Sequence, residues 1–264
     1  MIETATILIA AHMAGDFPLQ PAWMVERKRA WRVLLAHVAL VLLAVVLLLG
    51  AFCWTTHWPT YGAILGITAV SHLVIDAGKL RLPTGKWWSD HGLFTIDQEL
   101  HIAVAVVLAA CFPSAASGGY WISQLPSDAA RWYLAGLTAI SGLILCVPVS
   151  GAFIGMLTKQ FRDQIETTSG NSHELPQDNG EDGIENGGTY IGWLERGLVF
   201  LLVMIQQPAG IGFLIAAKSI LRFGDIRDAH RRRMTEYVII GTLLSFGWAI
   251  LFSALTYAAL QYWK

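Results

Sequence analysis

Three pairs of imidazole and carboxylate recur at one spacing inside apolar segments: His12-x-x-x-Asp16, His72-x-x-x-Asp76 and Asp97-x-x-x-His101. On a helix, positions four apart share a face about one turn from each other. Each pair sits in sequence apolar enough to meet lipid, ILIAAHMAGDF, LGITAVSHLVID and DQELHIAVAVVLAA. Ionisable groups at such depth are expensive and mark a site or a polar network. Imidazole and carboxylate together are ligands for zinc, manganese or iron, and their types alone do not choose among these metals. Three His and three Asp exceed the four ligands of a closed structural zinc site. A mononuclear centre with carboxylates orienting its histidines fits, and so does a dinuclear centre bridged by carboxylates. The non-metal alternative is a buried His–Asp hydrogen-bond network that fixes helix packing.

The elements that position these residues follow from composition. The chain has 264 residues, 55% hydrophobic and 14% charged, with a mean hydropathy of +0.51. The charged fraction lies far below the roughly 25% of soluble domains, which indicates a membrane protein. A net charge of −1 gives no basic field for nucleic acid. Cys53, Cys111 and Cys146 lie singly in apolar runs, so neither a zinc ribbon nor a disulfide framework is expected. The first residues lack a basic stretch, carry Glu3, and keep His12 and Asp16 where a cleavage region would fall, so they read as mature protein.

Apolar runs at 32–54, 60–78, 93–112, 132–157 and 236–262 are near the ~20 residues a bilayer requires. Run 4–16 is short for a span and reads as a half-helix packed inside a bundle. Run 197–217 is broken by Gln206-Gln207-Pro208-Ala209-Gly210. The expected fold is all-α, a polytopic transmembrane helix bundle of about six to seven segments. Three parts are expected: 1–158 carrying the His/Asp cluster, an acidic flexible cytoplasmic loop at 159–190, and a C-terminal membrane part at 191–264. Within that loop, ETTSGNSHELPQDNGEDGIENGGTY has six acidic residues and no Lys or Arg, and does not follow the spacing of a calcium-binding EF-hand loop. Trp31, Trp54, Trp87 and Trp263 lie near segment ends and read as interfacial anchors.

Lys and Arg set the orientation. Arg27, Lys28, Arg29 and Arg32 cluster at 24–32, Lys79, Arg81 and Lys86 at 79–92, and Lys218, Arg222, Arg227, Arg231, Arg232 and Arg233 at 218–234. Facing all three inward leaves the N-terminus periplasmic. A single span across 197–217 would put 218–234 outside, so that segment is expected to be a re-entrant hairpin, with a kinked span as the alternative. With this topology the pairs reverse order, H…D, H…D, D…H, as helix direction reverses. Each then presents its carboxylate at the cytoplasmic edge and its imidazole a turn deeper.

His37 lies at comparable depth in run 32–54, as a fourth imidazole or a satisfied core residue. Gln20 and Gln98 flank the cluster and are candidates to hold water or substrate. Asp90 and His91 read as solvated loop residues. Arg196, beside Glu195 in GWLERGLVF, and Lys218 and Arg222 beyond the break, are candidate phosphate contacts at a cytoplasmic mouth, or lipid-contacting residues at helix ends. No glycine-rich nucleotide loop, G-x-S-x-G elbow or HExxH is present.

The stretches AHMAGDFPLQPAWM, HLVIDAGK, TIDQELHI, IGWLERGLVFLLV, IGFLIAAKSILRFGD and EYVIIGTLLSF resemble an uncharacterised bacterial membrane family, the domain of unknown function numbered 3307. The resemblance runs over nearly the whole chain and implies no activity. The His/Asp pairs are also similar, over short stretches, to HxxxD patterns of bacterial membrane-bound metal-dependent hydrolases.

The expectation is a multi-pass protein of the bacterial inner membrane that uses a divalent zinc, manganese or iron ion to hydrolyse a lipid or lipid-linked phosphate near the cytoplasmic leaflet. Asp16, Asp76 and Asp97 would be ligands or general bases, and His12, His72, His101 and His37 would complete the shell. The partners would be membrane lipids and a lipid-like, phosphate-bearing substrate. A metal-ion or proton-coupled transporter and a non-catalytic membrane scaffold are the alternatives. The lack of acidic residues deep in 132–157 and 236–262 favours a site near one surface over a relay across the membrane.

Overall fold

A computed structural model describes residues 1–52, 58–82, 89–169, 187–222 and 229–264. Every regular element among them is helical. Among the described residues, five helices are long and apolar enough to cross a membrane: Trp31–Leu49, Trp58–Arg81, Asp90–Cys111, Ser127–Lys159 and Glu236–Trp263. The all-α polytopic architecture follows from these apolar runs.

The chain divides into two compact units, Met1–Ile144 with Ala258–Lys264, and Leu145–Tyr257. In the first, α1 (Ile2–Asp16) packs against α3 (Trp31–Leu49), α5 (Asp90–Cys111) and α8 (Ser127–Ile144), and α4 (Trp58–Arg81) packs against α3 and α5. At ~1.5 Å per residue a helix of 15 residues reaches roughly 22 Å, short of the ~30 Å hydrocarbon core. Its place is therefore inside the bundle, with Ile7, Leu8, Ala10 and Ala11 buried against Ala44, Val45, Leu49 and Ile64. Gly15 permits a close approach of α1 to α3. A Cβ there would lie 2.6 Å from Val41 Cγ2 and 3.2 Å from Val41 Cα, the use small residues serve where membrane helices meet.

A short α2 (Ala22–Arg27) joins α1 to α3. α3 stops at Gly50, whose φ of 70° is the left-handed cap that glycine adopts without strain. Between α5 and α8 the chain forms α6 (Ala115–Gly118) and α7 (Tyr120–Gln124). Thr4 Oγ1 bridges that region, donating to Pro113 O at 3.1 Å and accepting from Ala116 N at 3.2 Å. α5 begins earlier than apolarity alone suggests. Ser89 caps it by accepting from Gly92 N at 3.2 Å, which places Asp90 and His91 in its first turn rather than in a loop. Trp31 is exposed, as an interfacial anchor would be, whereas Trp263 donates to Thr138 Oγ1 at 2.9 Å. Cys53, Trp54, Lys86, Trp87, Arg227 and residues 170–186 of the acidic stretch lie outside the described residues.

In the second unit a π-helical turn, Leu145–Val149, contains Pro148 and precedes α9 (Ser150–Ser169). Proline has no N–H to continue the ladder, one cause of such a turn. Run 197–217 is two helices, α10 (Gly187–Met204) and α11 (Ala209–Arg222). Gln206, at φ 59°, and Pro208 occupy the break. Lys218 on α11 reaches back to Glu195 on α10 at 2.5 Å, so the chain reverses as a hairpin instead of kinking through. A core of Cys146, Val199, Phe200, Ile211, Phe246 and Ala249 joins both arms to α12 (Ala229–Leu260).

Candidate metal centre

The first unit brings nine of the expected site residues together on four helices and the loop after α1. His12, Asp16, His37, His72, Asp76, Asp97 and His101 are each 8% exposed or less. α1 supplies His12 and Asp16, α3 His37, α4 His72 and Asp76, and α5 Asp97 and His101. The partners of each pair stand four positions apart, so α1, α4 and α5 each turn both side chains toward the same interior.

Asp16 occupies the middle. Its Oδ1 lies 3.6 Å from His12 Nδ1, 3.4 Å from His37 Nε2 and 3.4 Å from His72 Nε2. His37 Nε2 and His72 Nε2 stand 3.0 Å apart, and each lies 3.5 Å from Asp76 Oδ2. His101 Nε2 lies 3.8 Å from Asp97 Oδ1 and 4.0 Å from Asp76 Oδ1. The His72 and His101 rings stack with centroids 4.1 Å apart.

The two glutamines hold the shell. Gln98 Nε2 donates to Asp16 Oδ2 at 3.3 Å and Asp97 Oδ2 at 3.2 Å, while its Oε1 lies 3.2 Å from His12 Nε2. In the amide orientation that satisfies both ends, Gln20 donates to Asp16 O at 3.0 Å and accepts from Lys28 Nζ at 3.1 Å and His37 Nδ1 at 3.2 Å. A proton held on His37 Nδ1 leaves the Nε2 lone pair facing the carboxylates, as a metal ligand requires.

Two lysines complete the charge balance. Lys28 Nζ lies 2.9 Å from Asp76 Oδ2, and Lys79 Nζ 2.8 Å from Asp97 Oδ2. Their sequence signal was read only as topological. Lys79 on α4 meets Asp97 on α5, and Lys28, just after α2, meets Asp76 on α4, so neither contact leaves a spacing signal within one helix. Three carboxylates against two ammonium groups leave one negative charge, centred on Asp16, when the imidazoles are neutral.

Four buried polar atoms here have no hydrogen-bond partner: His12 Nδ1, Asp16 Oδ1, Asp97 Oδ1 and His101 Nε2. Asp76 Oδ2 is also outside hydrogen-bond alignment, but the Lys28 ammonium at 2.9 Å compensates its charge. An orphaned buried polar atom costs about 1–3 kcal/mol, more when charged, and four in one place call for a partner. Three overlapping triads offer ligand atoms within 4.8 Å of one another: His12, His72 and His101; Asp16, His37 and His72; and Asp16, Asp97 and His101. These donor types and separations fit a transition metal. Asp16, His72 and His101 each belong to two of the triads, so the same side chains could serve one ion or two. A water-sized space of about 20 Å³ adjoins His12, His72 and His101.

Residues 4–126 match the model of a family described as Protein of unknown function (DUF3307). The match takes in every His/Asp pair, both glutamines and both lysines. The resemblance read from the motifs is borne out over these residues, and the later motifs, from IGWLERGLVFLLV onward, lie beyond the match. No curated protein and no solved structure matches the chain, so the likeness to membrane-bound hydrolases gains no support from them.

Arg196 and Lys218, expected as substrate contacts, belong to the second unit. Arg196 is buried, and Lys218 pairs with Glu195. Nothing is described of the Arg222 side chain.

Proposed function

We propose that this protein is a metal-dependent hydrolase of the bacterial inner membrane, acting on a lipid or lipid-linked phosphate near the cytoplasmic leaflet. The observation that carries the proposal is the convergence of four orphaned ligand atoms within overlapping His/Asp triads. A packing network that existed only to hold helices together would satisfy its own members. One or two ions would fill that gap, held by Asp16, His12, His37, His72, Asp97 and His101. Such an ion lowers the pKa of a bound water toward ~7 and polarises a phosphoryl oxygen.

The protein's own groups divide the remaining work. Gln98 fixes His12, Asp16 and Asp97, and Gln20 fixes the His37 tautomer. Lys28 and Lys79 stand beside the carboxylates, where an incoming phosphoryl group would draw their ammonium charge from Asp76 and Asp97. Lys79, with its side chain 35% exposed, is the more accessible. In the expected topology both lie at the cytoplasmic edge, where a headgroup enters while its tail stays in lipid.

A transporter would need a polar path past the histidines. The water-sized space beside them is lined instead by Leu8, Val41, Val45, Val104, Ala105 and Leu108, with only Thr68 and Ser71 adding polarity. That lining favours the enzyme.

The test is phosphate release from phosphatidic acid and from a polyprenyl diphosphate, by purified protein in nanodiscs with zinc, manganese or iron. Asp97→Asn should cut turnover by about 10²-fold or more while the protein stays folded. Release that is indifferent to metal removal and to Asp97→Asn would overturn the proposal, and so would no release from either substrate with any of the three metals.

A further inference from the structure

The second unit holds a buried cation that the metal centre leaves unused. Arg196, on α10, is 6% exposed. Its Nε donates to Val147 O at 3.1 Å, and its Nη1 to Ser245 Oγ at 3.2 Å. Both acceptors are neutral. Glu195, the adjacent carboxylate, is held by Lys218 across the hairpin.

Two glycines make room for the guanidinium. A Cβ on Gly151 would lie 2.6 Å from Arg196 Nη2, and one on Gly192 3.1 Å from Nη1. Any side chain at 151 would displace the guanidinium, so the sequence is shaped around the position of this arginine. The group borders a cavity of about 600 Å³ whose wall also includes Thr158, Lys218, Tyr237 and Thr242. A buried ionised group without an opposite charge is strongly unfavourable. Guanidinium presents five donors in a fork that matches phosphate oxygens, and two neutral acceptors leave part of that fork uncommitted.

We infer that this cavity is a phosphate-binding site, in which the Arg196 guanidinium takes the phosphoryl oxygens of a lipid headgroup or of free phosphate. Val147 O and Ser245 Oγ aim the fork, and because Lys218 and Glu195 on the wall neutralise each other, Arg196 supplies the unbalanced positive charge. The π turn at Leu145–Val149 presents Val147 O to Arg196, a role such turns take at functional sites. The size of the cavity suits a headgroup. The inference is independent of the His/Asp cluster, because no residue is shared between the two sites.

The test uses full-length protein in two arms. Calorimetry in maltoside detergent measures inorganic phosphate binding, and native mass spectrometry from nanodiscs containing phosphatidylglycerol measures retained lipid. The expected result is binding in at least one arm, weakened at least about tenfold in Arg196→Gln, the scale of losing charge-assisted hydrogen bonds. Arg196→Lys keeps a charge without the fork and should fall between the two. Binding in the lipid arm alone assigns a headgroup, and binding in the phosphate arm alone assigns the free anion. Absence of binding in both arms with wild-type protein overturns the inference, whether or not the variants fold. Undiminished binding by folded Arg196→Gln also overturns it.

Discussion

Asp16→Asn separates an ion from a hydrogen-bond network more sharply than any other single change. The substitution keeps size and lets the amide oxygen accept from Gln98, but it removes the one carboxylate charge without a lysine partner. It also takes a ligand from two of the three triads. An ion bound at a free concentration 100 times its dissociation constant stabilises the folded state by about 2.7 kcal/mol. At roughly 2–4 °C per kcal/mol for a chain of this size, chelation should lower the wild-type melting temperature by about 5–11 °C. In Asp16→Asn that response should shrink to about 1 °C or less, because the ion is no longer held. Without metal the variant should differ little from chelated wild type, since the cluster loses an uncompensated buried charge along with an acceptor. Scanning fluorimetry on the intrinsic tryptophans reads all four states. An equal chelator response in wild type and variant would refute the reasoning, as would a wild type indifferent to chelation.

Other perturbations probe the same structure. Gly15→Ala should cost about 1–3 kcal/mol by forcing α1 from Val41 on α3, and should reduce retained metal by moving Asp16 from His37; thermal unfolding and elemental analysis check both effects. Metal affinity should fall as pH falls, because protons compete for imidazole lone pairs, and this is read as ion release during acid titration. The paired change His72→Ala with Asp76→Ala should abolish metal retention, whereas a variant that still copurifies with the ion would favour the scaffold. Cysteines placed at 24–32, 79–92 and 218–234 should be shielded from a periplasmic thiol reagent, and labelling at 222–233 from outside would remove the re-entrant hairpin from the topology.

The site was legible because its signal is local. A spacing of four within one helix fixes both residues of a pair on one face, and the order reversal between His72-x-x-x-Asp76 and Asp97-x-x-x-His101 follows helix direction. His37 joins the cluster although a lone imidazole on an apolar helix carries no such pattern. Lys28 and Lys79 were hidden behind their role in orientation, because which carboxylate an ammonium meets is decided between helices. Helix ends were the least legible part. Ser89 extends α5 back over Asp90 and His91 by a capping bond, and the small helices α6 and α7 are too short to leave a periodic apolar pattern. The break at Gln206–Gly210 was visible as composition, but the reversal of the chain rests on the Glu195–Lys218 pair, 23 residues apart.

The most direct test is the metal content of full-length protein, purified without chelator from cells and measured by inductively coupled plasma mass spectrometry against the Asp16→Asn variant. The account predicts one to two equivalents of zinc, manganese or iron in wild type and a small fraction of that in the variant. Wild-type protein that is folded and metal-free, and that takes up none of these ions when they are added back, would contradict it.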